Sequence, residues 1–192
     1  MRRRRLGFLL LAAAIGLVVV MAVRLGPSAV RQFTLPLKHE DIIRQQAAEK
    51  RLDPALIAAV IYQESKFQDR TSSAGAKGLM QLLPSTAEFI AHKSGGTQFE
   101  VRDLATPQVN IAYGSWYLRY LIDHYSGNQT LAVAAYNAGM DNVDHWVRRV
   151  GGAGNFDAGS SIPFPETKHY VLSVMSHRDA YAKHYAKELG LK

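Results

Sequence analysis

Two kinds of hydrophobic patterning divide the chain. The run from residue 6 to 23, opening on Leu6 and closing on Val23, holds 18 uncharged, largely apolar positions without a break. From His39 onward apolar residues instead recur every three or four positions, the period of amphipathic helices. Between them, residues 25–38 contain Pro27 and Pro36, keep no period and read as a tether.

The periodic part predicts about seven helices. The first covers residues 39–51, with Ile42, Ile43, Ala47 and Leu52 on or near one face. A very short turn leads into residues 53–67, where Asp53 can cap and Pro54 can occupy the first turn, so the two pack as a helical hairpin. Residues 68–77 are polar and form a loop, and 78–83 (GLMQLL) fit a strand or a helix start. Ser85 followed by Glu88 predicts a capping box opening a helix to about His92. Thr106 and Pro107 open a long helix to about Tyr125, rich in aromatic residues that serve as core and wall. Residues 129–137 form a small-residue helix stopped by Gly139, residues 142–149 a short one, and 166–189 the last. Residues 151–165, rich in glycine, serine and proline, read as a mobile connection.

One residue breaks the pattern. Leu56, Ile57, Val60, Ile61 and Phe67 share an apolar sector of the second helix, and Glu64 falls in the middle of it, three residues after Ile61 and four after Val60. Burying an unpaired charge costs several kcal/mol, so such a carboxyl meets a cation or keeps its proton with a raised pKa. A proton-holding carboxyl is a general acid. The other reading puts Glu64 where the stripe meets solvent at the helix end. The helix alone leaves both open.

Charge changes the picture of the N-terminus. Of the 23 Lys and Arg residues, Arg2, Arg3, Arg4, Arg5 and Arg24 flank the apolar run, and no acid precedes Arg24. The remainder carries 18 positive against 16 negative charges, a net +2. At about 1.5 Å per residue the run spans roughly 27 Å, close to a hydrocarbon core. It therefore predicts a membrane anchor with a cytoplasmic N-terminus and everything after Arg24 exported. A cleaved signal peptide competes, but no A-x-A site follows the run, and the uncleaved anchor is favoured. Without cysteine there is no lipoprotein anchor, disulfide or thiol chemistry. The nearly balanced remainder argues against nucleic acid as a partner. The seven histidines form no zinc-hydrolase pair, and residues 141–144 (DNVD) lack calcium-loop spacing, so no metal site is expected.

Four strings form one ordered set: Glu64-Ser65 at a helix end, GLMQLLPSTA at 78–87, AYNAG at 135–139 and PETKHYV at 165–171. Together they resemble the soluble-type lytic transglycosylase catalytic domain, a lysozyme-like, mainly α-helical fold, over about residues 39 to 185. With the anchor read at 1–24 and the tether at 25–38, the resemblance makes 39–192 the catalytic domain. It also implies cleavage of peptidoglycan glycan strands without any cofactor. Glu64 would protonate the glycosidic oxygen between N-acetylmuramic acid and N-acetylglucosamine, then act as base on the muramoyl C6 hydroxyl, giving a 1,6-anhydro product.

In the same resemblance Tyr136 matches a tyrosine whose hydroxyl lies close to the catalytic carboxyl, and Asn137 helps shape its turn. Met80, Gln81 and Leu83 match the lining of the saccharide groove, and Glu166 matches a sugar-binding glutamate. The loop before GLMQ is one residue shorter than the family's. Its substrate-contacting serine therefore falls on Ser72 counted back from Gly75-Ala76 and on Ser73 counted forward from Glu64; Ser72 is taken. No carboxylate near Glu64 in sequence is positioned to pair with it, which suits a single-acid reaction. The alternatives are a hydrolytic muramidase on the same fold and a non-catalytic wall-binding or scaffolding module.

Overall fold

The period that begins at residue 39 resolves into eight α-helices among the described residues of the computed structural model, 35–96 and 98–191. They are α1 (Glu40–Lys50), α2 (Pro54–Ser65), α3 (Pro84–Ser94), α4 (Pro107–His124), α5 (Gln129–Ala138), α6 (Met140–Arg149), α7 (Ala158–Ser161) and α8 (Pro165–His184). Two short 3-10 turns, Val101–Ala105 and Ala153–Asn155, complete the order. All of these belong to one unit, Leu37–Lys192. Residues 6–23, expected to anchor the chain, lie outside the described residues. Among the described residues no helix is long and apolar enough to cross a membrane.

α2 is the centre of the domain. Asp53 caps it as expected, accepting from the Ala55 amide at 2.8 Å while Arg178 of α8 donates to its other oxygen at 2.6 Å. The single apolar sector read from the sequence is too narrow, because every residue from Ala55 to Ile61 is fully buried. A helix apolar all round is a core helix, covered on more than one side. α1 packs against it as the hairpin partner, but its most extensive neighbour is α8. Each of Leu56, Ile57 and Ile61 contributes about 1.5–3 kcal/mol through this burial.

α2 also ends earlier than expected. Lys66 and Phe67 both adopt left-handed backbone, with φ of 55° and 59°, so Phe67 reaches the core by chain reversal and not by helical period. It is buried, with its ring 6.1 Å from that of Tyr181. Two non-glycine residues in that region cost about 1–2 kcal/mol each, and the strain lies directly after Glu64.

Three other expectations change. Residues 78–83 form neither strand nor helix but a tight turn carrying isolated bridges, Thr71 with Lys77 and Lys77 with Leu82. α3 opens on Pro84, with Leu83 at the cap position making no side-chain bond, so the Ser85–Glu88 capping box does not form. Proline is preorganised for that first position, where its missing N–H has no helical partner to lose. α8 stops at His184, five residues short of the expected end. Leu189 turns back to be buried, and Arg44 of α1 donates to the Glu188 carbonyl.

The glycine-rich stretch 151–165 contains an element that the composition hid. Asp157 accepts from the Ser160 amide and hydroxyl, both at 2.9 Å, and caps α7. Ser161 and Ile162 are buried, and Arg149 donates to the Ser161 carbonyl at 3.1 Å. A second apolar layer lies beside the main one: Leu82, Ala87, Ile90 and Leu104 are buried under partly covered Phe89, Tyr113, Trp116, Tyr117 and Tyr136.

Candidate active site

Glu64 occupies the last turn of α2, half-buried, with its main chain fixed by the helix and its side chain directed at α8. The Tyr170 hydroxyl donates to Glu64 Oε1 at 2.6 Å. Arg70 reaches back from the following loop and its Nη2 donates to the Glu64 backbone carbonyl at 2.7 Å. Burial pushes the carboxyl up to about pKa 7, against the opposing pull of the Tyr170 hydrogen bond and the Arg70 charge. No other carboxylate contributes to that shift. A like charge held close would have raised it further.

The turn after the loop is tied to Tyr136, whose hydroxyl feels the Glu64 charge. Met80 is buried; its amide donates to Asn110 Oδ1 at 2.8 Å, and its carbonyl accepts from the Tyr136 hydroxyl at 2.9 Å. Asn110, itself buried on α4, also donates from Nδ2 to the carbonyls of Lys77 and Leu104, each at 3.0 Å. This one amide thus satisfies three backbone groups and sets the turn's shape. Gly78, at φ 75°, lets the turn close over it; a Cβ there would lie 2.1 Å from Asn110 Nδ2. Gly114 does the same under Met80, whose sulfur would be 2.3 Å from an added Cβ.

Gln81 has φ 47°, another left-handed non-glycine residue beside the site. Its Nε2 donates to the Arg70 and Gly78 carbonyls at 3.0 and 2.7 Å, so its side-chain oxygen is the polar atom left uncommitted. A groove runs past this residue, lined by Gln81, Leu83, Thr86, Tyr117, Tyr136 and Asn137. Leu83 is 42% exposed there, an apolar surface available to the face of a ring.

Four of the residues expected at the site are therefore drawn together: Gln81, Leu83, Tyr136 and Asn137 line one groove. Met80 is buried beside them and meets Tyr136 through its main-chain carbonyl. Tyr136 bonds Met80 and not the carboxyl, although the Glu64 charge, after burial, helps to push its hydroxyl pKa well up. The hydroxyl that touches Glu64 belongs to Tyr170. Ser72 closes its own loop: its hydroxyl accepts from the Ala76 amide at 3.0 Å, and its amide donates to the Ala76 carbonyl at 2.8 Å. Ser73 is exposed. Glu166 is exposed in the first turn of α8, outside the groove lining, but its neighbour Thr167 donates to Asn137 Oδ1 at 2.7 Å.

Sequence reasoning missed Tyr170 and Asn110. Tyr170 stands inside the PETKHYV string, and an aromatic four residues past a helix-opening glutamate was the available signal. Asn110 had only the weaker signal of an amide among apolar neighbours in a long helix.

This mainly helical domain, with a half-buried glutamate bonded by Tyr170 and coupled by charge to the groove-lining Tyr136, is lysozyme-like in architecture. The family model described as the transglycosylase SLT domain matches residues 41–157, and the chain belongs to that family. The soluble lytic murein transglycosylase of Salmonella typhimurium is 34% identical over 160 residues, covering 78% of this chain and 24% of the relative. The structure of the 70 kDa soluble lytic transglycosylase from Escherichia coli superposes with a TM-score of 0.75 at 30% identity, covering 84% of this chain and 27% of that one. An inactive mutant of the lytic transglycosylase from Pseudomonas aeruginosa gives 0.73 at 32% identity, covering 81% and 25%. The chain thus spans about a quarter of the length of these relatives.

Proposed function

We propose that the chain is a peptidoglycan lytic transglycosylase, with Glu64 as both acid and base. The observation that carries this is a carboxyl with its pKa near 7, half-buried, bonded by Tyr170 and uninfluenced by a second carboxylate. In its protonated form Glu64 delivers a proton to the glycosidic oxygen between N-acetylmuramic acid and N-acetylglucosamine, and the bond to the anomeric carbon breaks. The carboxylate so formed takes the proton of the muramoyl C6 hydroxyl, and that oxygen closes onto the anomeric carbon as a 1,6-anhydro ring. The sugar's N-acetyl group stabilises the cationic intermediate. No water is consumed and the proton count balances.

The roles of the other residues follow from their surroundings. Tyr170 orients the carboxyl and lends the carboxylate a hydrogen bond when the proton has left. Tyr136 and Asn110 hold the Met80 main chain, Gln81 presents an oxygen to the saccharide, and Leu83 offers an apolar face. Asn137 borders the groove and is held by Thr167, the neighbour of Glu166, which offers a peripheral hydrogen bond to the sugar, and Ser72 keeps the preceding loop closed. An ordinary glycosidase uses a second carboxylate to activate water or to act as nucleophile. Mass spectrometry of digested sacculi distinguishes the two: anhydromuramoyl ends are expected, and reducing ends would convict a hydrolytic muramidase. Binding without cleavage would instead identify a wall-binding module.

The run from Leu6 to Val23 completes the proposal as a single-pass tether, with the arginine-rich N-terminus in the cytoplasm and the helical domain outside, beside the wall. N-terminal sequencing of the exported protein tests it; a start near residue 25 would mean cleavage.

A further inference from the structure

Three residues before Tyr170, the same helix carries a hydroxyl that the reaction above does not use. Thr167 lies in the first turn of α8 and is only 3% exposed. A threonine deeper in a helix can return its hydroxyl to the carbonyl four residues back. At Thr167 that position precedes the helix, so the buried proton needs an acceptor elsewhere. Among the described residues it meets Asn137 Oδ1, 2.7 Å away on α5.

This bond decides which way an exposed amide faces. Asn137 is exposed and lines the groove, and a free carboxamide there could present either its oxygen or its NH2 to a ligand. With the oxygen outward, Thr167 would have to accept from the NH2, and its own buried proton would be left without an acceptor. The hydroxyl therefore draws the carbonyl inward. Nδ2, which has no partner among the described residues, is the atom left for the groove. Gln81, lining the same groove, is fixed the other way round: its Nε2 is committed to the Arg70 and Gly78 carbonyls, and its oxygen is left open. One acceptor and one donor are thus set out before any ligand arrives.

α8 packs against α2 and α5 alike. Residues three apart share a helix face, so Thr167 and Tyr170 fix the Asn137 donor and the Glu64 acid from one surface. We infer that Thr167 is a positioning residue, whose hydroxyl turns the Asn137 NH2 into the groove to donate a hydrogen bond to a saccharide oxygen. The inference rests on the glycan-cleaving reading above. Thr167 itself touches neither sugar nor Glu64; it strengthens binding by removing the amide's freedom beforehand.

The test uses the full chain and the N-acetylglucosamine tetramer, a probe whose binding is read by calorimetry without cleavage. Thr167→Val keeps shape and burial but removes the donor, and its affinity is expected to fall about threefold, within the scale of one neutral hydrogen bond. Thr167→Ser should restore it. Asn137→Asp keeps an acceptor for Thr167 but deletes the NH2, so it should weaken binding at least about fivefold. Adding Thr167→Val to that variant should then cost no further affinity. With glycan strands as substrate, Thr167→Val should raise KM about threefold while kcat and the alkaline limb of the pH–rate profile stay in place. A merely structural threonine would lower kcat and thermal stability together, and its loss would add to that of Asn137→Asp. Unchanged affinity in Thr167→Val, no recovery in Thr167→Ser, or additive losses would overturn the inference. One reading depends on no variant folding: the Asn137 side-chain NH2 signal in nitrogen NMR should move when tetramer is added to the natural chain. A natural chain that cleaves sacculi without that movement would overturn the inference and leave the lyase proposal standing. The expected binding pattern in a chain that releases no anhydromuramoyl product would keep the role of Thr167 and sink the lyase proposal instead.

Discussion

Glu64 and Glu166 are both glutamates at helix ends, yet the molecule treats them oppositely. Glu166 opens α8, exposed, where the helix N-terminus favours negative charge. Glu64 closes α2, half-buried, where the C-terminal end of the helix disfavours it. Position along the helix and removal from water thus act in the same direction on Glu64, and its proton is held to about pH 7. The comparison teaches that a carboxyl becomes an acid through what covers it and which helix end it occupies. Proximity to a groove is not enough.

The largest effect should come from removing the covered carboxyl. Glu64→Gln is expected to cut release of anhydromuramoyl products at least about 100-fold, the scale of a lost general acid. Its stability should move the other way. The folded pKa lies above the unfolded value, so the favourable protonation is fully present below about 4.5 and lost as pH rises through 7. At pH 8 the ionised group costs about 3 kcal/mol. Thermal melts should therefore show Glu64→Gln more stable than the natural sequence at pH 8, with the gap closing in acid.

Asn110→Ala is expected to come next, since it strands the Met80 amide and the carbonyls of Lys77 and Leu104. A loss of about 2–3 kcal/mol in denaturant unfolding, with weakened saccharide binding, would match that role. Tyr170→Phe should have a smaller but more diagnostic result. Its hydrogen bond lowers the Glu64 pKa, so its removal raises it, and the alkaline limb of the pH–rate profile shifts upward. A merely structural tyrosine would lower the rate without moving that limb. Smallest is Glu166→Gln, expected to raise KM about threefold with kcat unchanged, as for a peripheral hydrogen bond. A large loss of kcat there would end the contrast between the two glutamates.

Much of this was legible in the sequence for physical reasons. Helical period, the Asp53 cap and the Gly139 stop are local properties, and each helix expected from them is present, with ends shifted by a few residues. Glu64 was conspicuous because a charge within an apolar run is costly wherever the run is buried. The parts that escaped are set by contacts distant in sequence. Tyr170 meets Glu64 across 106 positions, and Asn110 meets Met80 across 30. The turn at 78–83 could not be read as strand or helix because it is neither; its shape comes from Asn110, from left-handed Gln81 and from room left by Gly78 and Gly114. α7 stayed hidden because composition signals glycine and serine but not the Asp157 cap that orders them.

The central claim is that Glu64 carries its proton into neutral solution. Carbon-detected NMR titration of the Glu64 side-chain carboxyl reads this directly. A midpoint near pH 7 is the predicted result, and a midpoint at or below 4.5, the ordinary glutamate value, would contradict it.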